Sequence, residues 1–155
     1  MDGRLFGLGA DPDVDEHAWL LGQAEALRSR RLTAIDCDAL AEFLDSMAKR
    51  DVREALSQVE RLLMHLIKFT VQPQRATSSW AISVVNAQNE LQDMLDSAAL
   101  RRAVEEKLPR AWERARRSAA AETRMAIAAM PAENPWSLDE ALSWTPPFGL
   151  PQRVK

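Results

Sequence analysis

Glycine is scarce. The 155-residue chain has 5, and none lies between Gly22 and Gly149. Two-residue β-hairpin turns draw on Gly or Asn at positive φ, so a strand meander over that stretch is disfavoured. Strand formers are scarce too. There is no Tyr, and 8 Val, 4 Ile and 5 Thr stand against 25 Ala and 19 Leu, which favour helix. The one cysteine, Cys37, excludes an internal disulfide and suits a reducing compartment. No run reaches the roughly 18 apolar residues of a membrane helix; the most apolar, Leu62 to Phe69, is broken by His65 and Lys68. The N-terminus lacks a basic start followed by an apolar stretch, so no secretory signal is read and a cytoplasmic location is expected. Histidine is limited to His17 and His65, and the residues three before them are Val14 and Leu62. A ferritin-like Glu-x-x-His pair is therefore excluded, as is a three-His centre within one chain. No glycine-rich loop exists to cradle phosphate. No metal and no cofactor are expected.

What is present is helical periodicity. The length fits one domain with a real core. Residues 1–14 hold three of the five glycines and read as a flexible leader. A first helix is expected from about Asp15 to Arg30, with Leu20, Ala24 and Leu27 along one side. Asp36 caps a short second helix, where Ile35 and Leu40 hold hydrophobic-staple positions. Asp51 and Glu54 have capping-box spacing and predict a new start. Val52, Leu56, Val59, Leu63 and Leu66 then repeat at steps of four and three until Pro73. Thr77 to Ser79 open a fourth helix ending near Leu95. Ser97 caps a fifth through Val104 and Leu108. Pro109 either opens a sixth helix or kinks a long one. Ser137 and Glu140 box a last helix from Leu138 to about Ser143. The expected architecture is all-α: a single-domain helical bundle of six or seven helices over residues 15–143, around a central antiparallel pair at about 51–70 and 78–95. A Pro-rich tail follows at 144–155, in which Trp144 either docks on a partner or folds back over the bundle.

Two polar sets are candidates for function. On the third helix Arg61, His65 and Lys68 fall within about 60° of one another on the polar side. Arg75 follows the helix end, near Trp80. Three cationic or protonatable groups on a stripe suit a small anion or an acidic partner. The structural alternative pairs Arg61 with acids of its own chain and makes Trp80 a core residue. A basic stripe of Lys107, Arg110, Arg114, Arg117 and Arg124 lies opposite the apolar face of its helix and offers arginine forks to phosphate, although Glu106 and Glu113 dilute it. Nucleic-acid binding is the sharper reading of that stripe and a solvated face the plainer one. The acid pairs Glu42/Asp45 and Glu90/Asp93 lie toward water by helix geometry, which argues against magnesium.

Five segments resemble one known family. They are Ala18-Trp19-Leu20 with Gln23-Ala24-Glu25 and Leu27-Arg28; Leu63-Met64-His65-Leu66-Ile67-Lys68; Gln72-Pro73 through Arg75 to Ser79-Trp80; Ala121-Glu122-Thr123; and Pro135-Trp136 leading into Leu138. In order and spacing, over roughly residues 15–142, they resemble the uncharacterised bacterial family called domain of unknown function twenty-nine. His17 departs from it, standing where an aromatic residue is expected. The resemblance implies an all-helical fold and carries no activity and no functional residues.

The net charge of -3 conceals an asymmetry: residues 1–60 carry 7 basic and 13 acidic groups, and residues 61–130 carry 11 and 7. Such a bipolar chain attracts its own halves, a second copy or a charged partner. The function expected is a non-catalytic protein-interaction or adaptor domain, with self-association open and no membrane contact. The alternative is a small-anion or nucleic-acid-binding protein, an enzyme among the options, that uses the His/Lys/Arg cluster.

Overall fold

A computed structural model describes residues 9–147. Among them are five α-helices, three single 3-10 turns and no strand. The helices are α1 (Glu16–Arg28), α2 (Cys37–Val71), α3 (Ser78–Met94), α4 (Ala98–Thr123) and α5 (Leu138–Ser143). The all-α expectation holds, but the count of six or seven is corrected to five. Of the expected leader, residues 1–8 lie outside the described residues, as do residues 148–155 of the expected tail.

Two boundaries read from the sequence are absent. The second and third expected helices are one 35-residue helix, α2. Asp51 and Glu54 have the spacing of a cap, yet no Gly or Pro lies between Cys37 and Val71 to take the preceding residue out of helix. A capping box acts only where the cap residue itself leaves helical dihedrals. The fifth and sixth are likewise one helix, α4, with Pro109 inside it. Pro109 removes the N–H that would bond the Glu105 carbonyl. Both residues are exposed, where water can serve that carbonyl.

Where a cap coincides with a real break, the local chemistry is as read. Asp36 Oδ1 accepts from the Ala39 N–H at 3.1 Å, Thr77 Oγ1 from Trp80 at 3.4 Å and Ser97 Oγ from Leu100 at 3.2 Å. Ser137 and Glu140 form the reciprocal box of α5, with bonds of 3.2 and 2.8 Å. Two helices end on an arginine in the left-handed region, Arg30 at φ 57° and Arg124 at φ 56°. At each, the next N–H reaches back five residues (Arg31 to Ala26, 2.9 Å; Met125 to Ala120, 3.1 Å). That is the Schellman closure, usually given to glycine.

The chain divides into two compact units, residues up to Lys49 and residues from Arg50 onward. In the first, α1 buries Trp19, Gly22, Gln23 and Ala26. The expected apolar side is therefore rotated out of the interior: Leu27 is exposed, and Leu20 and Ala24 are half-buried. Trp19 instead meets Phe43 edge-on at 6.0 Å.

The second unit holds the main core. Val59, Leu62, Leu63, Leu66 and Ile67 of α2 pack in one cluster with Val84 and Leu91 of α3, Val104, Trp112 and Ala115 of α4, and Leu138 of α5. Three side-chain links join α2 and the residue after it to α4: Glu60 to Arg114, Lys68 to Glu122 and Gln72 to the Thr123 carbonyl. Their sequence separations of 54, 54 and 51 stay nearly constant along the helices, so α2 and α4 run parallel here. The Gln88 amide of α3 donates to the carbonyls of Ala141 (3.1 Å) and Trp144 (2.8 Å), which fixes α5. Trp144 folds back and lies 5.0 Å from the Phe69 ring.

Candidate functional site

The Arg61, His65 and Lys68 set was expected on the polar side of its helix. Two of the three are buried instead, His65 at 7% and Lys68 at 6% exposure, while Arg61 stays in water. The reason is the width of the apolar belt. Every residue from Leu62 to Phe69 except Met64 is buried, so that segment of α2 is enclosed nearly all round.

A buried lysine needs compensation. Lys68 has two partners. Its Nζ lies 2.5 Å from Glu122 Oε2 on α4 and 4.3 Å from the centre of the Trp80 ring on α3. Trp80 in turn stands edge-on to Phe69 at 5.5 Å. One ammonium thus ties three helices, and the carboxylate and the ring face share its charge. Trp80 is the core-side residue of the structural alternative.

His65 lies one turn away from Lys68. Burial pushes its pKa down to about 4, and the Lys68 charge adds to that effect. Glu122 opposes the shift, and Arg61 adds weakly to it. The imidazole is therefore neutral at pH 7. Its Nδ1 has no hydrogen-bond partner among the described residues. Arg75, the last member of the set, is exposed in the turn after α2.

Of the basic stripe, Lys107, Arg110, Arg117 and Arg124 are exposed on or just after α4. Arg114 is exposed but engaged, 3.2 Å from Glu60 Oε1. Arg124 closes the helix in the left-handed conformation. Glu42, Asp45, Glu90 and Asp93 all face water, and Cys37 is exposed at the start of α2. Among the described residues no cluster of three or more His, Cys, Asp or Glu side chains is arranged to hold a metal. None of their helices is long and apolar enough to cross a membrane.

Sequence reasoning missed Glu122. A partner 54 residues away leaves no local signal. One trace of it was visible. Lys68, Trp80 and Glu122 come from three of the five segments that carry the family resemblance, and the structure brings those segments together. Gln72, in one of them, also reaches the carbonyl of Thr123, in another, at 3.4 Å. The model of the family described as Domain of unknown function DUF29 matches residues 13–145. No curated protein and no solved structure matches the chain.

Proposed function

The chain belongs to the family Domain of unknown function DUF29, and on that premise we propose that it is a non-catalytic protein-interaction or adaptor domain of a bacterial cytoplasmic protein. The observation that carries this reading is the state of Lys68. The cation best placed to receive a small anion is buried, paired with Glu122 and set over the Trp80 ring, and the adjacent imidazole is uncharged at pH 7. The cluster reads as a tie within the bundle, and the surface is left for binding. The reading takes the later part of α2 with α3 as an antiparallel pair, supported by Phe69 near the end of one meeting Trp80 near the start of the other. A protein partner or a second copy is what such a domain binds.

One observation favours a second reading. Lys107, Arg110 and Arg117 remain exposed on α4, which keeps a nucleic-acid partner in view, although Glu106 and Glu113 are exposed on the same helix. The experiment is affinity capture from the native host with nuclease-treated and untreated extracts, followed by reconstitution from purified components. A protein retained after nuclease treatment, and rebinding when pure, supports the interaction reading. Loss of all captured material on nuclease treatment, with retention on heparin at ordinary salt, overturns it in favour of phosphate binding.

A further inference from the structure

The first unit leaves an apolar face uncovered, and its geometry is specific. Gln23 of α1 accepts the Asp36 N–H at 2.9 Å, and Trp19 meets Phe43. These pairs run backward along one segment as they run forward along the other, so α1 and the first turns of α2 form an antiparallel hairpin. On α1, Leu20 and Leu27 stand about 90–110° from the centre of the buried face at 100° per residue. On α2, Leu40 and Leu44 stand about 60–100° from Phe43 in the same rotational sense. In an antiparallel pair, offsets of the same sense point to the same side. Both stripes therefore line one side of the hairpin. Leu27 is 47% exposed, Leu44 57% and Met47, which continues the α2 stripe, 43%. Two adjacent apolar stripes at steps of three and four make a groove of the form that a third helix fills.

Charge selects the occupant. From Asp11 to Glu25 and from Asp36 to Asp45 the chain carries nine acidic side chains and no Lys or Arg. The basic groups Arg28, Arg30 and Arg31 sit at the bend, and Lys49 lies on α2 at the opposite end of the hairpin, where α1 starts. Such a field repels nucleic-acid phosphates, anionic headgroups and the same face of a second copy, and it attracts cations. We propose that this side of the hairpin is a docking groove for an amphipathic helix of a protein partner, apolar on one face and basic on the others. The proposal rests on the interaction reading and names its surface and the chemistry of its partner.

The test uses the full chain and a labelled synthetic helix of about five turns, Leu on one face and Lys elsewhere, followed by fluorescence anisotropy at near-physiological salt. Two further peptides serve as controls: one with Glu for each Lys, and one with the same Leu and Lys content in strict alternation, which keeps the charge and loses the helical face. The Lys helix is expected to bind, the Glu helix not to bind, and the alternating peptide to bind at least about tenfold more weakly. Leu27→Asp with Leu44→Asp weakens the Lys helix at least about tenfold, although it makes the unit more acidic. Ile82→Asp with Ile127→Asp, at exposed apolar positions of the second unit, leaves binding unchanged. Both variants alter exposed side chains, and circular dichroism checks their helicity. Equal binding of the alternating peptide, or unchanged or tighter binding by the Leu27/Leu44 variant, reduces the effect to bulk charge and overturns the proposal. So does a wild-type dimer in sedimentation that this variant dissociates, since the occupant is then a second copy. Failure of the peptide while a purified native protein partner still binds both forms overturns the groove alone; capture that depends on nucleic acid overturns the interaction reading beneath it.

Discussion

At the residue scale the decisive pair is Lys68 and Glu122. Removing Glu122 leaves a buried ammonium supported only by a ring face, whereas removing the ammonium leaves a carboxylate that is half in water. The two changes are therefore unequal. Glu122→Gln is expected to destabilise the fold by about 1–3 kcal/mol, below the usual cost of breaking a fully buried pair because Glu122 is partly solvated. Lys68→Met keeps the stem volume in an apolar site and costs less than about 1 kcal/mol. Urea midpoints of both variants check this ordering. A larger loss for Lys68→Met than for Glu122→Gln contradicts the account. His65 adds a pH dependence whose sign follows from its lowered pKa. The unfolded chain takes up a proton near pH 6.5, while the folded chain resists it until about pH 4. The imidazole's contribution is thus fully present above pH 6.5 and lost as pH falls through that window. After allowance for solvent screening the loss amounts to about 1–2 kcal/mol. His65→Gln is expected to flatten the change of thermal midpoint between pH 6.5 and 4, measured beside the parent chain. Little of this was legible in the sequence. The helical wheel of α2 put His65 and Lys68 on a polar stripe, and only the helices around Leu62 to Phe69 turn that stripe inward.

At the element scale, legibility followed the caps. Asp36, Thr77, Ser97 and Ser137 each precede a helix and each bonds the N–H that the pattern calls for. Asp51 has the same pattern with Glu54 and caps nothing, because α2 runs through it. A cap signature thus marks a start only where something else breaks the preceding helix, such as the turns at Pro73 and Ser97. The ends of helices were less visible. Arg30 and Arg124 fill left-handed positions that glycine takes without strain, and nothing in their identity announces it. This gives a prediction for α4. Arg124→Gly relieves the backbone strain at an exposed site and is expected to stabilise the chain by about 0.5–1 kcal/mol, read as a higher thermal midpoint. Arg124→Ala leaves the positive φ in place and brings no such gain. If the two variants behave alike, the left-handed closure is not the source of strain.

At the scale of the whole molecule, the sequence asymmetry acquires a structural counterpart. The first unit carries 10 acidic against 5 basic groups, while the second carries 13 acidic against 15 basic. The core is just as unevenly shared: among the described residues, apolar burial in the first unit comes down to Trp19 and Ala26, while the second buries the whole cluster around Leu62, Leu66, Leu91 and Trp112. Stability follows apolar burial, so the two units are expected to open at different free energies even though α2 belongs to both. Amide hydrogen exchange separates them. Amides of α1 and of residues 40–48 should exchange through local opening, well before those of residues 59–69, and the protection along α2 should rise across the Lys49–Arg50 division rather than stay level. A mixed peptide helix bound in the hairpin groove should slow exchange in the first unit selectively, since a ligand stabilises the state it binds in proportion to its occupancy. Uniform protection along all of α2 in the free chain would mean that the hairpin is as firmly held as the core, and the exposed Leu27, Leu44 and Met47 would then be decoration on a rigid element rather than an unfilled seat.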